Sequence, residues 1–280
     1  MCHEEPPVRI HKVVMRNKLD TLQGGRALIL GLLSVLFFIS PALAADVVDE
    51  SIRNWEKLWT AVLTQSVDQR GRIDFVSLAT NHTELDQIIA FIATNDPISK
   101  PTLFQSRAAH IAYDINAYNA LAMYGIVDVG IPESLGGLRK FTFFRLKEFK
   151  IGGQFISLHD FENDVIRPLG EPRVHFALNC MVVSCPQLPR TAFTAEDIEG
   201  QLDTAARAFI NDDRNVRVDR DKHEVWLSSI FKFYTEDFMS QDSSLITYVN
   251  RYRTETIPSD FTVRFIDYNW TVNSRGSNTE

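Results

Sequence analysis

Residues 147–168 have the sequence KEFKIGGQFISLHDFENDVIRP, and this stretch decides the fold. Two short runs of alternating apolar and polar residues flank Gly152 and Gly153, which supply the positive φ angles that a two-residue β-turn needs. Ser157 can cap a helix that begins directly after the second run, and Pro168 ends that helix. A β-hairpin that continues into a helix is typical of an α+β fold.

The rest of the chain has the same mixture of short elements. Apolar residues at helical spacing predict helices at 52–62, 84–93, 103–127 and 228–238. Extended segments are predicted at 72–76, at 174–178, and in a second hairpin formed by 215–218 and 224–227. Strands and helices do not alternate regularly, so we expect a single mixed α+β domain, with helices packed on a small antiparallel sheet that includes two β-hairpins.

An apolar segment near the start of the chain predicts export. Residues 27–39 carry no charge, follow Arg26, and precede Ala42 and Ala44, whose spacing is the pattern that signal peptidase recognises. About 13 residues suit the apolar part of a signal peptide and are too few for a membrane span, which needs about 20. We therefore expect residues 1–44 to be a cleaved secretory signal peptide, with an uncleaved N-terminal anchor as the alternative.

Cleavage after Ala44 defines the part of the chain that has to function. It leaves a domain at 45–272 and a flexible tail at 273–280, in the periplasm or outside the cell. The whole chain has 29 basic and 36 acidic residues, and the part after residue 44 has 24 and 33, a net charge of −9. An acidic surface repels nucleic acid and anionic lipid, so we expect neither as a partner, and no stable membrane insertion after cleavage. A small molecule or a peptide is the expected ligand.

Two asparagines lie on the apolar face of the long predicted helix 103–127. On a helical wheel Asn119 falls inside a stripe of alanine and isoleucine residues, and Asn116 lies beside it. A buried side-chain amide without partners costs about 1–3 kcal/mol, so both must be hydrogen-bonded. They either orient a functional site or hold the backbone of a buried loop.

Glu162 is a further polar residue that is predicted to lie beside an apolar helix face. Glu162 lies beside the apolar stripe of the helix that follows Ser157, and His159 lies at the edge of that stripe. A buried carboxylate must find a partner. Arg167 or Arg173 could form a structural ion pair with it, and the alternative is a role as general acid, general base or orienting group.

The segment 173–186 contains the chemically reactive side chains. Alternation along a strand would place Arg173, His175 and Asn179 on one face, and Cys180 with the apolar residues on the other. Cys185 follows before Pro186, at the end of the predicted strand, where the backbone could hold a thiol at the edge of a cleft.

Four kinds of chemistry fit these two cysteines. Cys185 could be a nucleophile with His175 as its base and Asn179, Asn119 or Glu162 orienting the imidazole ring. Cys180 and Cys185 could instead form a disulfide, which an oxidising compartment permits. They could also be two buried thiols. Zinc binding lacks the usual ligand spacing, so we expect no metal and no other cofactor.

Five motifs occur in a fixed order along the chain. They are Gly71–Phe75, Ile115–Ala120, Ile156–Pro168, Arg173–Pro186 and Leu227–Phe238. Together they resemble the family called domain of unknown function 547, over roughly residues 55–272. The resemblance implies a self-contained domain of a kind found in exported bacterial proteins and, in plants, joined to other modules, with no established activity.

The chain departs from the family pattern at two positions. The family usually has Glu-His where this chain has Glu162-Asn163, and an aspartate at the position of Asn269. If those positions are catalytic in relatives, this chain has lost two of the groups.

The sequence therefore leaves two hypotheses open. In the first, a cleft gathers Asn116, Asn119, Glu162, His175 and Cys185, with Asn116, Arg173 and Asn179 binding the ligand, and Cys185 attacks an acyl or disulfide bond. In the second, the domain binds or scaffolds without catalysis, the polar residues form a buried network, and Cys180–Cys185 is a structural disulfide.

Overall fold

The computed structural model describes residues 41–276, and the side chains from residue 50 onwards. The predicted signal peptide falls, up to residue 40, outside the described residues, as does the end of the predicted tail from residue 277. Residues 273–275 are not a loose tail, because the backbone of Asn273 and Arg275 bonds to Met181 and Ile73.

Ten helices are present between residues 41 and 276, and several of them are only one turn long. Their bounds are α1 Pro41–Ser66, α2 Phe75–Thr80, α3 Thr83–Ile92, α4 Arg107–Asp128, α5 Leu138–Phe141, α6 Leu158–Asp160, α7 Ile198–Ile210, α8 Ser229–Phe233, α9 Thr235–Phe238 and α10 Leu245–Asn250. The predicted helices at 52–62, 84–93 and 103–127 are confirmed. No helix in this part of the chain is long and apolar enough to cross a membrane.

Helix α4 runs through the middle of the larger core. Fifteen of its residues between Ile111 and Ile126 are buried, and it packs against α2, α3 and α7. Ser106 caps its first turn by accepting a hydrogen bond from the backbone of Ala109. Because Asn116 and Asn119 lie in the enclosed part of α4, their amides need hydrogen-bond partners inside the protein.

The strands form two small sheets. Strands β1 (Glu148–Ile151) and β2 (Gln154–Ser157) form the predicted hairpin, with Ile151 opposite Gln154 and both glycines at positive φ. Strands β3 (Val216–Asp219) and β4 (Glu224–Ser228) form the second one. An unpredicted strand, β5 (Thr262–Ile266), runs parallel to β4, so this sheet is mixed and not antiparallel as expected. The fold class is α+β.

The predicted strand at 174–178 is wrong. Residues Pro172–Phe176 form a 3₁₀ helix whose first turn is capped by the Glu171 side chain, which accepts from the backbone of Arg173. The alternation of residue types predicted a strand with one exposed face. Val174 to Asn179 are instead all buried, so this segment has no exposed face. The extended segment predicted at 72–76 is also partly wrong. Its last two residues, 75 and 76, belong to α2, and Asp74 caps the first turn of that helix.

The helix predicted after β2 exists but is distorted. Ser157 caps it as expected, by accepting from the backbone of Asp160. After one α-helical turn the chain widens into a π-helix over Phe161–Ile166 and ends in a 3₁₀ turn, Arg167–Leu169. The predicted helix 228–238 is likewise divided into α8 and α9 at Tyr234.

Candidate functional site

A cavity of about 490 Å³ lies between α4, the distorted helix after β2 and the loop that carries the cysteines. Its polar lining includes His159, Glu162, Asn163, Arg167 and His175. Both cysteines contribute to the wall, and the aromatic side chains are Tyr118, Phe141, Phe144, Phe233, Tyr234, Tyr268 and Trp270. A volume of this size is typical of a small-molecule site.

Two π-helical turns shape this cavity. The turn Phe161–Ile166 directs Glu162 and Asn163 into it, and the turn Thr142–Leu146 supplies Phe144 and Arg145. π-helical turns are rare and are found frequently at functional sites, because the widened turn reorients one side chain relative to a regular helix. Two of them on one cavity favour a functional role for it.

Glu162 is a buried carboxylate that is held by tyrosine hydroxyls. Tyr118 donates a hydrogen bond to its Oε2 atom at 3.2 Å. Burial, reinforced by the nearby carboxylate, raises the pKa of Tyr118 and of Tyr234 well above the ordinary value. Both hydroxyls therefore stay protonated at neutral pH and remain donors.

The expected ion pair of Glu162 with Arg167 or Arg173 is not formed. Arg167 binds Asp237 instead, through Nε and Nη2 at 2.7 and 2.8 Å. The four carboxylate–guanidinium bonds of Arg173 go to Glu171, Glu199 and Asp203. Glu162 consequently keeps its carboxylate available on the cavity wall.

His175 also binds Asp237. Its Nε2 atom lies 2.7 Å from Asp237 Oδ2, and its ring stacks on Tyr234 with 3.8 Å between the ring centroids. Burial opposes ionisation of Asp237, but hydrogen bonds from Arg167 and His175 outweigh it and hold the pKa of that carboxyl well below its usual range. Asp237 is thus an anion that orients two cavity residues.

The predicted base–nucleophile pair is not formed. His175 is buried, its Nδ1 atom has no hydrogen-bond partner among the described residues, and its Nε2 atom faces Asp237. No cysteine sulfur is therefore in hydrogen-bonding reach of the imidazole. In this structure His175 cannot take a proton from Cys185.

The two cysteines form a disulfide that closes the loop 180–185. Their Cα atoms are 6.2 Å apart, and both residues are half-buried in the cavity wall. The backbone N–H of Cys180 donates to the sulfur of Cys185 at 3.0 Å. The hydroxyl oxygen of Tyr268 lies 3.4 Å from each sulfur. Of the four alternatives that the sequence left open for the two cysteines, the disulfide is the one present in this structure.

No group of three or more metal-binding side chains occurs in the region that the structure describes. The zinc alternative therefore has no ligand set there.

A comparison with known families identifies one part of the chain. Residues 103–210 match the family described as protein of unknown function, DUF547. The resemblance predicted from the motifs is confirmed over these residues. No curated protein and no solved structure matches the chain.

The DUF547 segment supplies only part of the cavity. It contains Tyr118, Glu162, His175 and both cysteines, whereas Tyr234, Tyr268 and Trp270 follow it in the chain. The described site is therefore completed by residues beyond the matched segment.

Three asparagines that were predicted as site residues do not line the cavity. Asn119 donates to the carbonyl of Ala177 at 2.9 Å and accepts from the backbone of Asn179 at 2.7 Å. Asn116 makes the same two-way contact with the backbone of Phe193. Asn179 donates to the carbonyl of Pro186 and accepts from the backbone of Met181.

These amides hold the cysteine loop from behind. Asn119 and Asn179 together fix both ends of the 180–186 turn, so they position the disulfide without touching the cavity. Of the two roles that the sequence allowed for Asn116 and Asn119, the structure has the one in which they bind the backbone of buried loops. Arg173, expected to bind ligand, is likewise absent from the cavity lining.

Asn163 is hydrogen-bonded to two other residues that line the cavity, although the family usually has a histidine at this position. Its Oδ1 atom accepts from Arg167 at 2.6 Å, and its Nδ2 atom donates to the carbonyl of His159 at 2.7 Å. Asn269, the other departure, is exposed and accepts from the backbone of Thr271, outside the cavity lining.

Sequence reasoning missed four residues that shape the site: Tyr118, Tyr234, Asp237 and Tyr268. Tyr118 lies between the two asparagines that were singled out, and Tyr234 and Asp237 belong to the motif at 227–238. Their presence in family-like motifs was the available signal. For Tyr268 the available signal was its place directly before Asn269, a position that is compared with the family pattern.

Proposed function

We propose that this protein is a thiol–disulfide exchange protein, with Cys180 and Cys185 as its redox pair and the cavity as the binding site for a small thiol or a peptide. The observation that carries the proposal is the position of the disulfide. It forms part of the wall of a ligand-sized cavity, and hydrogen-bond donors point at its sulfur atoms.

The reaction in the direction of substrate reduction has two steps. The thiolate of reduced Cys185 attacks one sulfur of a disulfide ligand, which forms a mixed disulfide and releases the first ligand thiolate. The thiolate of Cys180 then attacks the sulfur of Cys185, which restores the protein disulfide and releases the second ligand thiolate. Two electrons pass from the protein to the ligand, and the two thiol protons end on the released thiols.

Cys185 is the better candidate for the attacking thiolate. A thiolate is stabilised by donors that point at it, and the backbone N–H of Cys180 already donates to the Cys185 sulfur. Burial raises the pKa of Tyr268, so its hydroxyl remains protonated and can donate to either sulfur. These two donors replace the imidazole that we expected from the sequence.

The remaining lining suits a ligand that is partly aromatic or apolar. Phe144, Phe233 and Trp270 offer ring faces, while Glu162 and Tyr118 offer a carboxylate and a hydroxyl. A few convergent polar groups in an otherwise apolar cavity are the usual composition of a specific small-molecule site.

Export is part of the proposal. It is supported by the apolar segment 27–39 with Ala42 and Ala44 behind it, and by the requirement of a stable disulfide for an oxidising compartment. We place the protein in the periplasm or outside the cell.

A second candidate function is a binding or scaffold domain with an inert disulfide. The observation that favours it is the satisfied amide network behind the loop, in which Asn119 and Asn179 bond to backbone at both ends. In this case the cavity binds its ligand without chemistry.

Trapping of a mixed disulfide separates the two functions. The protein is prepared with Cys2→Ser so that only Cys180 and Cys185 remain, and is incubated with oxidised and reduced glutathione before mass spectrometry. We expect Cys180→Ser to accumulate one glutathione on Cys185 at neutral pH, and Cys185→Ser, the matched control, to react more slowly. If the disulfide resists reduced glutathione until the protein is unfolded, and neither variant is labelled in the native state, exchange is excluded and the inert-disulfide function stands.

A further inference from the structure

We propose that the segment 138–147, with the sequence LRKFTFFRLK, docks the protein on the surface of an anionic lipid membrane. The segment consists of α5 and the π-helical turn Thr142–Leu146, followed by Lys147. It combines exposed apolar side chains with uncompensated positive charge, which together are the properties of an interfacial membrane-binding element.

The apolar part of this segment faces outward. Leu138 is 79% exposed, Leu146 is 60% exposed and Phe141 is 48% exposed. Phe233 adds a further ring that is 47% exposed, and the amino group of Lys140 lies 5.5 Å from its centroid. Large apolar side chains that are exposed singly need no explanation, but several of them in one short segment indicate a surface that becomes covered.

The charge of the segment is opposite to that of the chain. Four of its ten residues are lysine or arginine and none is acidic, whereas the whole chain has a net charge of −7. Lys147 forms an ion pair with Asp128. Arg139, Lys140 and Arg145 have no carboxylate partner among the described residues. The repulsion from anionic lipid expected from the net charge therefore does not hold for this face.

Aromatic side chains on the inner side of the segment 138–147 hold it in this conformation. Phe143 is buried, its ring lies 4.9 Å from that of Phe144, and the rings of Phe143 and Phe149 approach Gly125 of α4 closely. Because the inner aromatic residues anchor it, the outer side chains are held outward without further ordering. A surface that is already arranged loses little entropy on binding.

Charge selects lipid over a second copy of the chain. A twofold dimer through this face would place the same three free cations against each other, and like charges at an interface disfavour the complex. An anionic bilayer instead neutralises them and accepts the apolar side chains.

Docking in this way would bring the cavity to the membrane. Lys140, Phe141, Phe144 and Arg145 of the same segment line the cavity. Ligands that are delivered from the lipid surface would therefore reach the cavity wall without crossing the acidic remainder of the protein. This step does not depend on whether the disulfide is redox-active.

Vesicle co-sedimentation tests the proposal. The chain from Ala45 onwards, which lacks the basic and apolar segment of the predicted signal peptide, is mixed with vesicles of phosphatidylcholine that contain about one-third phosphatidylglycerol, and with pure phosphatidylcholine vesicles. We expect binding to the first and at least about tenfold weaker binding to the second, with loss of binding at high salt because exposed charges are screened. Each charge near an anionic surface contributes about fivefold in affinity, so Arg139→Glu should lower binding by at least that factor.

Matched variants keep the test specific. Leu138→Ser should lower binding about fivefold, whereas Ile98→Ser, at a side chain that is 76% exposed elsewhere on the surface, should leave it unchanged. Lys57→Glu makes the same charge change as Arg139→Glu at another exposed position and is the electrostatic control. All four variants are on the surface, and circular dichroism confirms that they are folded.

Three outcomes overturn the proposal. One is absence of binding to the anionic vesicles, and another is equal loss of binding for Leu138→Ser and Ile98→Ser. The third is a concentration-dependent dimer in sedimentation velocity that Leu138→Ser abolishes, which would assign the surface to a second copy of the chain.

Discussion

The Nε2 atom of His175 lies 2.7 Å from the Oδ2 atom of Asp237, and this pair stands in place of the cysteine–histidine pair that was one of the alternatives left open by the sequence. Asp237 also receives two hydrogen bonds from Arg167, so one carboxylate ties a buried imidazole and a guanidinium group to the short helix α9. Since these residues are 62 and 70 positions from Asp237 in the chain, the pair joins the DUF547 segment to the part that follows it.

We predict that Asp237→Asn lowers the free energy of unfolding by about 2–3 kcal/mol at neutral pH, because it leaves a guanidinium and an imidazole group without their anion. The pKa of Asp237 is held below its usual range in the folded protein. Its contribution to stability is therefore present above the ordinary carboxyl pKa of about 4 and is lost as the pH falls through the lower folded value.

Urea unfolding at pH 7 and at pH 3 measures both effects. The difference between the wild type and Asp237→Asn should shrink at the lower pH. Asp260→Asn, at an exposed carboxylate, should differ little from the wild type at either pH. Equal free energies of unfolding for the wild type and Asp237→Asn at pH 7 would show that the hydrogen bonds of Asp237 do not stabilise the fold.

The first hairpin, the helix cap that follows it and the long helix α4 could be predicted from short stretches of sequence. The hairpin 147–157 needs positive φ at two adjacent positions, which Gly152 and Gly153 supply, and Ser157 then caps the next helix as expected. The long helix α4 was predicted from its apolar periodicity, and its observed bounds differ by only a few residues from the prediction.

The cysteine loop could not be predicted in the same way. Periodicity distinguishes a strand only when one face is exposed, and 174–179 are buried throughout, so a 3₁₀ helix produced the same pattern as a strand. The partner of His175 comes from a different part of the chain, and no spacing rule connects the two. The Cys180–Cys185 disulfide was one of four alternatives, allowed because the predicted export leads to an oxidising compartment, and the sequence did not choose among them.

We predict that Asn119 is required for folding rather than for chemistry. Asn119→Ala should lower the free energy of unfolding by about 2–4 kcal/mol, because it leaves the carbonyl of Ala177 and the backbone N–H of Asn179 unpaired in a buried region. Thermal unfolding provides the measurement, with Asn81→Ala at an exposed position as the control. A stable Asn119→Ala protein that has lost only its reaction with thiols would contradict this assignment.

We predict an alkaline limit to stability that arises from the buried tyrosines. Burial raises the pKa of Tyr118 and Tyr234 in the folded protein, whereas in the unfolded chain they ionise near pH 10. The stability that they contribute is therefore complete below pH 10 and is lost as the pH rises above it. Absorbance at alkaline pH should show that these phenols ionise together with unfolding, and Tyr118→Phe should make the alkaline transition less steep. Free titration of all tyrosines in the folded protein would disprove the prediction.

The last prediction concerns how much the fold depends on its disulfide. A redox pair has to leave the protein folded in both states, and a loop whose two cysteines are only five positions apart in sequence restricts the unfolded chain little. By the chain-entropy estimate, such a loop stabilises by about 2 kcal/mol. We therefore expect reduction by dithiothreitol, or the double substitution Cys180→Ser with Cys185→Ser, to lower the free energy of unfolding by about that amount while the protein stays folded at 25 °C.

Denaturant unfolding of the oxidised, reduced and doubly substituted proteins gives these values directly. The amides of Asn119 and Asn179 continue to hold both ends of the loop when the sulfur bond is absent, which is the physical reason for a small effect. Reduction that unfolds the native protein outright would mean that the bond is structural. In that case an exchange cycle would pass through an unfolded state, and the cavity could serve only to bind.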